Sequence, residues 1–144
     1  MNSLYIESSA IVHWLLGEPL AEEVSSWLNK DAKFISSVLT PLEISRTLVR
    51  VEVEKRFKPV EIEEIRSIYD KAILRWELMD ISQGILHRAA RQFPVEPVRS
   101  LDAIHLATAL EFLEIYPELE VLSLDRRIVG NLEPLGLRCC DIGR

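Results

Sequence analysis

The sequence predicts an α/β fold with a mostly parallel central sheet, helices on both faces and a helical arm. Three observations carry this reading. Short apolar runs alternate along the chain with longer segments of helical periodicity, the order expected of strand–helix–strand units. The 144 residues are 48% hydrophobic and 28% charged, enough to bury a core and typical of a globular chain. No internal repeat, low-complexity segment or long linker divides the sequence, so residues 1–144 are expected to form one domain.

Leu4-Tyr5-Ile6 is the first apolar strand, and it runs into Glu7. Ser8 or Ser9 is placed to cap a helix through Ala10, Ile11, Val12, Trp14 and Leu15, stopped at Gly17. Leu20, Val24, Trp27 and Leu28 repeat on one face of a second helix, and Phe34-Ile35-Ser36 reads as a second strand. In Thr40-Pro41-Leu42-Glu43, Thr40 fits an N-cap, Pro41 fits N1 and Glu43 fits N3. That helix is expected to run to about Lys55. Pro59 starts another, with Ile62, Ile65, Ile68, Tyr69, Ala72, Ile73 and Trp76 on one face, and the pair forms the arm.

Leu78 to Ile81 reads as a short strand, and the helix from Ile85 to Phe93 ends at Pro94 and Pro97. Ser100 is an expected N-cap for a helix to about Glu114, which puts Asp102 in its first turn, where the helix dipole favours a negative charge. Leu119 to Leu124 is a strand ending at Asp125. A short helix from Arg126 to Leu132 follows, then a last strand from Leu137 to Asp141. Cys139 and Cys140 are adjacent, a poor geometry for a disulfide, and are read as small buried residues of that strand.

Composition excludes several classes of function. Five glycines and no Gly-rich loop argue against dinucleotide or P-loop nucleotide binding. No apolar run approaches the roughly 18 residues needed to span a bilayer, and the first residues lack the basic start and long apolar stretch of a signal peptide. No membrane association and a cytoplasmic location are therefore expected. A formal net charge of −6 counts against a nucleic-acid ligand only if the acids are dispersed, because a metal site would offset them locally.

Four acids occupy comparable places. Glu7 and Asp125 lie just past strand ends, and Glu43 and Asp102 lie in first turns of helices. Ligands of open α/β sheets bind beyond the carboxyl ends of the strands, so these acids are expected to converge there. Converging carboxylates repel unless a cation sits among them, and an oxygen-only set suits Mg²⁺ or Mn²⁺ rather than zinc. Taken singly, each has a plainer reading. Glu43 fits a capping box with Thr40, Asp125 fits an N-cap, and Asp102 is an ordinary first-turn acid. Glu7 has the weakest such reading, because Glu is a poor N-cap.

Four stretches carry a resemblance: Tyr5-Ile-Glu-Ser-Ser-Ala-Ile-Val, Leu39-Thr-Pro-Leu-Glu-Ile-Ser-Arg, Ser100-Leu-Asp-Ala-Ile-His-Leu-Ala-Thr-Ala and Val121-Leu-Ser-Leu-Asp-Arg-Arg. In this order, over nearly the full length, the chain resembles PIN-domain proteins, and most of all the VapC-type ribonuclease toxins of toxin–antitoxin pairs. The resemblance implies a PIN-like three-layer α/β/α fold and a Mg²⁺- or Mn²⁺-dependent endoribonuclease. It also implies an RNA substrate, a homodimer and a small antitoxin partner. The family's four catalytic, metal-binding acids correspond to Glu7, Glu43, Asp102 and Asp125. Two departures stand out. Glu7 replaces the family's usual Asp, which moves the carboxylate outward by about 1.5 Å. His13, expected on the solvent side of its helix, stands where the family often has Lys.

Ser9 and Ser123 are candidates to orient ligands or phosphate. Arg46, Arg99, Arg126 and Arg127 flank the matched stretches and are candidate phosphate contacts, although each arginine alone also fits a solvated surface role. His105, one turn beyond Asp102, is read as packed or hydrogen-bonded. Three other readings stand beside this one, the last being a purely structural protein whose first-turn acids are caps. One is a weak or inactive PIN-like module that binds RNA or a partner, because of Glu7. Another is a Mg²⁺-dependent phosphatase or phospho-acceptor, which would want a lysine near a strand end; the lysines all fall outside the matched stretches.

Overall fold

A computed structural model of the chain describes residues 2–143. Strand β1 (Asn2–Ile6) leads into helices α1 (Ser8–Leu15) and α2 (Ala21–Leu28), then strand β2 (Ala32–Ser37). The arm follows as α3 (Leu39–Val53) and α4 (Pro59–Ile73), then β3 (Glu77–Met79) and α5 (Gln83–Ala89). Helix α6 (Ser100–Ile115), strand β4 (Glu120–Leu122), helix α7 (Arg126–Leu132), a 3-10 turn (Glu133–Leu135) and β5 (Arg138–Cys139) complete the chain. The five strands form one all-parallel sheet in the order β3-β2-β1-β4-β5. The α/β/α architecture expected from the sequence is thus present.

Central β1 explains its own composition. Leu4, Tyr5 and Ile6 are all buried, as a parallel strand covered on both faces requires. Alternate side chains serve opposite layers. Leu4 and Ile6 join Ala10, Ile11, Val24, Ile44, Leu48 and Tyr69 on the side of α1–α4. Tyr5 joins Ala103, Leu106, Phe112, Ile128 and Leu132 on the side of α6 and α7.

Strand order places the site. The chain moves outward from β1 to β2 and β3, then returns to pair β4 on the other side of β1, with Ile6 in register with Leu122. The Glu7 N–H donates to the Leu122 carbonyl at 3.0 Å, so Glu7 and Ser123 leave the sheet side by side. This is the point where the winding reverses at the carboxyl edge, the place where open α/β sheets hold their ligand crevice.

Several boundaries differ from expectation for identifiable reasons. Thr40 is not an N-cap: Ser37 Oγ accepts from the Leu39 N–H at 3.0 Å, and α3 begins at Leu39. Thr40 is buried instead and shares a 2.7 Å hydrogen bond with Ser36 Oγ. Ser100 is the first helical residue of α6, with Arg99 at the N-cap. Helix α4 stops at Ile73, before Trp76, and α5 stops at Ala89, so Phe93 is buried from a loop. The short strands β3, β4 and β5 cover only part of their apolar runs, since few of those residues find a parallel partner. Cys139 is exposed while Cys140 is buried, so only one is the expected core residue.

The loop between α5 and α6 delivers Asp102 and is held by two side chains, Asn131 and Glu96. Fully buried Asn131 accepts from the Val95 N–H at 2.8 Å and donates to the Val95 and Arg127 carbonyls, each at 2.9 Å. Glu96 adds bonds from the Phe93 and Val98 N–H groups at 2.8 and 2.7 Å. Asn131→Ala strands two loop groups without partners and is expected to lower stability by about 2–3 kcal/mol. Urea denaturation with an unchanged slope checks this.

Candidate active site

Glu7 is the N-cap of α1, contrary to the expectation that Ser8 or Ser9 would fill that place. A Glu succeeds here because its longer arm folds back into a cage of donors. Oε2 accepts from Ser8 Oγ at 2.9 Å and from the Ser9 N–H at 3.0 Å. Oε1 accepts from Ser9 Oγ at 2.5 Å and Ser123 Oγ at 2.6 Å. The residue is 4% exposed. Ser9 Oγ in turn accepts from the Leu124 N–H, and Ser123 Oγ from the Asp125 N–H, so the two serines tie the ends of β1 and β4 to Glu7.

Asp125 is the N-cap of α7, its plainer reading, and Oδ1 accepts from the Arg127 and Ile128 N–H groups at 2.8 and 3.3 Å. Asp102, in the first turn of α6, is different. Its Oδ2 is buried and has no hydrogen-bond partner. Burial, followed by the negative charges of Asp125 and Glu7, raises its pKa above the ordinary carboxylate value; the Arg99 backbone and guanidinium pull the other way. The acids of β1, α6 and the β4–α7 junction therefore feel one another across the crevice.

Glu43 does not close a capping box. From α3 it reaches across to α6, where Oε1 lies 2.6 Å from His105 Nε2. His105 Nδ1 is 2.8 Å from the Tyr5 hydroxyl. The imidazole is 2% exposed. Burial works against an imidazolium there, but the Glu43 hydrogen bond and the charges of Glu7, Glu43 and Asp102 outweigh it and hold the pKa above the ordinary value. Burial, then the charges of Glu7 and Glu43, push the Tyr5 phenol well up, so it stays neutral.

The expected site residues thus fall into groups. Glu7, Ser9 and Ser123 are hydrogen-bonded together, and Asp102 interacts electrostatically with Glu7, Asp125 and Arg99. Glu43 joins through His105. Arg126 opens α7 beside Asp125 and is exposed; Arg46 is exposed on α3, three residues beyond Glu43. His13 is partly exposed, with its Nδ1 buried. Sequence reasoning missed Tyr5 and Ser8. A tyrosine inside an otherwise aliphatic strand was the available signal, because a buried phenol needs a polar partner.

Among the described residues, no three acidic, histidine or cysteine side chains are already gathered as a metal-binding group. The chemistry of the crevice still fits a hard divalent cation. Asp102 offers a desolvated oxygen with no partner, next to acids that repel it, and oxygen donors suit Mg²⁺ or Mn²⁺.

Comparison with known proteins shows the family. The PIN domain family model matches residues 4–129. Ribonuclease VapC35 of Mycobacterium tuberculosis is 29% identical over 136 residues, 93% of each chain. Ribonuclease VapC46 of the same species is 31% identical over 109 residues, 76% of this chain and 75% of the relative. Among solved structures, VapBC-5 from Mycobacterium tuberculosis, described as a member of the VapBC family of toxin-antitoxin systems, superposes with a TM-score of 0.63 at 14% identity, covering 96% of this chain and 98% of that one. DNA-bound VapBC from Salmonella typhimurium gives 0.62 at 18% identity over 98% of each chain. On these matches, with the all-parallel sheet in agreement, the chain belongs to the PIN-domain family and, within it, to the VapC-type ribonuclease toxins.

Proposed function

We propose that the protein is an endoribonuclease that uses Mg²⁺ or Mn²⁺ to hydrolyse RNA phosphodiesters and is held in check by a small antitoxin protein. The observation that carries this reading is Asp102 Oδ2, a buried carboxylate oxygen with no partner, set among acids at the winding reversal of the sheet. Asp102 and Asp125 offer oxygens to the cation, and Glu7 steadies the site through the hydroxyls of Ser9 and Ser123. When bound, a divalent cation lowers the pKa of water and offsets charge on the scissile phosphate. Glu43 accepts the proton of the attacking water. Arg99, Arg126 and Arg46 bind flanking phosphates, which positions the strand without reading its bases.

The test is cleavage of total cellular RNA by purified protein stripped of any copurifying partner, in Mn²⁺, in Mg²⁺ and in EDTA. Cutting with either metal and none in EDTA is expected. The cage around Glu7 favours a second reading, in which the first acid is turned inward and the module only binds. Cutting by Glu7→Asp but not by the native chain establishes that reading.

The arm supports a partner surface. Leu74 is 85% exposed and Val53 75%, with Leu42, Val60 and Ile68 also more than half exposed. Apolar side chains in such number on two adjacent helices call for cover, by a second copy of the chain and by antitoxin. Light scattering across a dilution series is expected to give a dimer mass that falls toward the monomer. A monomer at the highest concentration overturns the dimer. No helix of the described residues is long and apolar enough to cross a membrane.

A further inference from the structure

We propose that His105, steadied by Tyr5, is a positioning residue that sets the orientation of the Glu43 carboxylate; this rests on the reading of Glu43 as a site acid. Glu43 projects from α3 with three side-chain torsions and is only partly buried. Left alone, such a carboxylate samples several rotamers. Its 2.6 Å bond to His105 Nε2 holds one of them. A carboxylate only accepts, so the shared proton belongs to Nε2 and His105 donates. The bond takes Oε1 and leaves Oε2 for the proton of an attacking water.

The ring is itself held from behind. Nδ1 lies 2.8 Å from the Tyr5 hydroxyl, and the Tyr5 ring meets the imidazole edge-on at 6.0 Å. Tyr5 is 1% exposed in the central strand and packs against Phe112 with ring centroids 6.1 Å apart. A flipped imidazole would present carbon to both partners, so Glu43 and Tyr5 would each lose a hydrogen bond. The ring plane is therefore determined at both nitrogens, as in sites where a histidine's second nitrogen is held by an outer partner.

The brace also links the elements that carry the acids. Tyr5 lies two residues before Glu7 on β1, His105 three residues after Asp102 on α6, and Glu43 on α3. These elements come from distant parts of the chain. A shift of α6, which carries Asp102, relative to α3, which carries Glu43, must break the part-buried hydrogen bond between His105 and Glu43. In packed interiors such a bond has few alternative arrangements. His105 is thus more than a filled core position, although it does not touch the substrate.

The experiment compares native protein with His105→Leu, His105→Gln and Tyr5→Phe. The Gln amide nitrogen takes the place of Nε2 and donates to Glu43, whereas Leu fills similar volume without a donor. His105→Leu is expected to lower kcat about 10–100-fold, the loss typical of an outer orienting partner, with KM for RNA within about twofold. His105→Gln is expected to recover most of that loss, and Tyr5→Phe to fall between. Two NMR readouts do not depend on cleavage. A slowly exchanging ring proton on His105 Nε2 is expected in nitrogen-15 spectra of the native chain. The Glu43 side-chain carboxyl resonance is expected to move in His105→Leu and to return in His105→Gln.

A bare Nε2 in the native protein overturns the proposal, and so does a Glu43 resonance unmoved by His105→Leu. Equal loss in folded Leu and Gln variants also overturns it. If the native chain cuts no RNA with any metal, the nuclease reading fails, and the two resonances still decide the brace. Should His105→Leu not fold, the native Nε2 proton and the response of Glu43 to Tyr5→Phe decide it.

Discussion

Asp102→Asn is expected to abolish metal-dependent RNA cleavage and, without metal, to make the protein more stable at neutral pH. The loss of activity follows from removing the carboxylate charge that faces the cation. Charge stabilisation of this kind is worth several kcal/mol, so the rate is expected to fall by about 10²–10³-fold or more. The gain in stability follows from the same residue's surroundings. Burial and the charges of Asp125 and Glu7 hold the Asp102 pKa above its unfolded value. A carboxyl with a raised folded-state pKa favours the native state below its unfolded pKa and loses that contribution as pH rises through the folded pKa. At neutral pH the native fold therefore carries an ionised, partly desolvated carboxylate that Asn does not have. The native-minus-variant difference in Tm is expected to grow more negative as pH rises through the acidic range and then to level off.

Metal reverses the order. A cation that binds only the folded chain stabilises it by about 2.7 kcal/mol at 100 times its Kd. Mn²⁺ is therefore expected to raise the Tm of the native protein and to leave that of Asp102→Asn nearly unchanged. Calorimetry with and without Mn²⁺ reads both effects in one series. A variant less stable than native at every pH would mean that Asp102 is a structural acid, and would remove the main support for the metal site.

Glu7→Gln is expected to produce the largest loss of stability among conservative changes in the crevice. The native carboxylate accepts from Ser8 Oγ, the Ser9 N–H, Ser9 Oγ and Ser123 Oγ. An amide nitrogen cannot accept, so one half of the cage meets donors with a donor. Losing hydrogen bonds to a buried charged group costs about 1.5–3 kcal/mol. Glu7→Asp retracts the carboxylate by about 1.5 Å, too far to keep bonds both to α1 and to Ser123, and is expected to lose a comparable amount. Chemical denaturation of the three proteins at one pH measures this. If Glu7→Asp is as stable as native, the cage does not hold Glu7, and its carboxylate is free to enter the crevice.

These two acids also mark the reach of sequence reasoning. Asp102 was legible as a first-turn acid because Ser100 to Leu110 carries helical periodicity, and α6 starts within one residue of the expected place. Its unpaired oxygen was not legible, since that depends on which groups pack against it. Glu7 was legible as a charge at a strand end, and its departure from Asp was visible. That a Glu serves as N-cap was not, because local cap preferences do not count a donor such as Ser123, 116 residues away. Thr40 shows the same limit in reverse: its local signature is good, yet Ser36 and Ser37 at the end of β2 take over the start of the helix.

The sequence by itself determined the alternation of strands and helices, the arm, and the placing of Glu7 and Asp125 after strands and of Asp102 in a first turn; Glu43, expected in a first turn, lies one turn further on because α3 begins already at Leu39. Periodicity, proline and cap chemistry act over a few residues, so they can be read in order along a chain. Only the tertiary structure decided which of these acids meet and what each one touches. The strand order brings the ends of β1 and β4 together, and it carries Tyr5 to a histidine 100 residues away and that histidine to Glu43 at a separation of 62. Such contacts depend on winding and packing of the whole sheet, which no local pattern encodes.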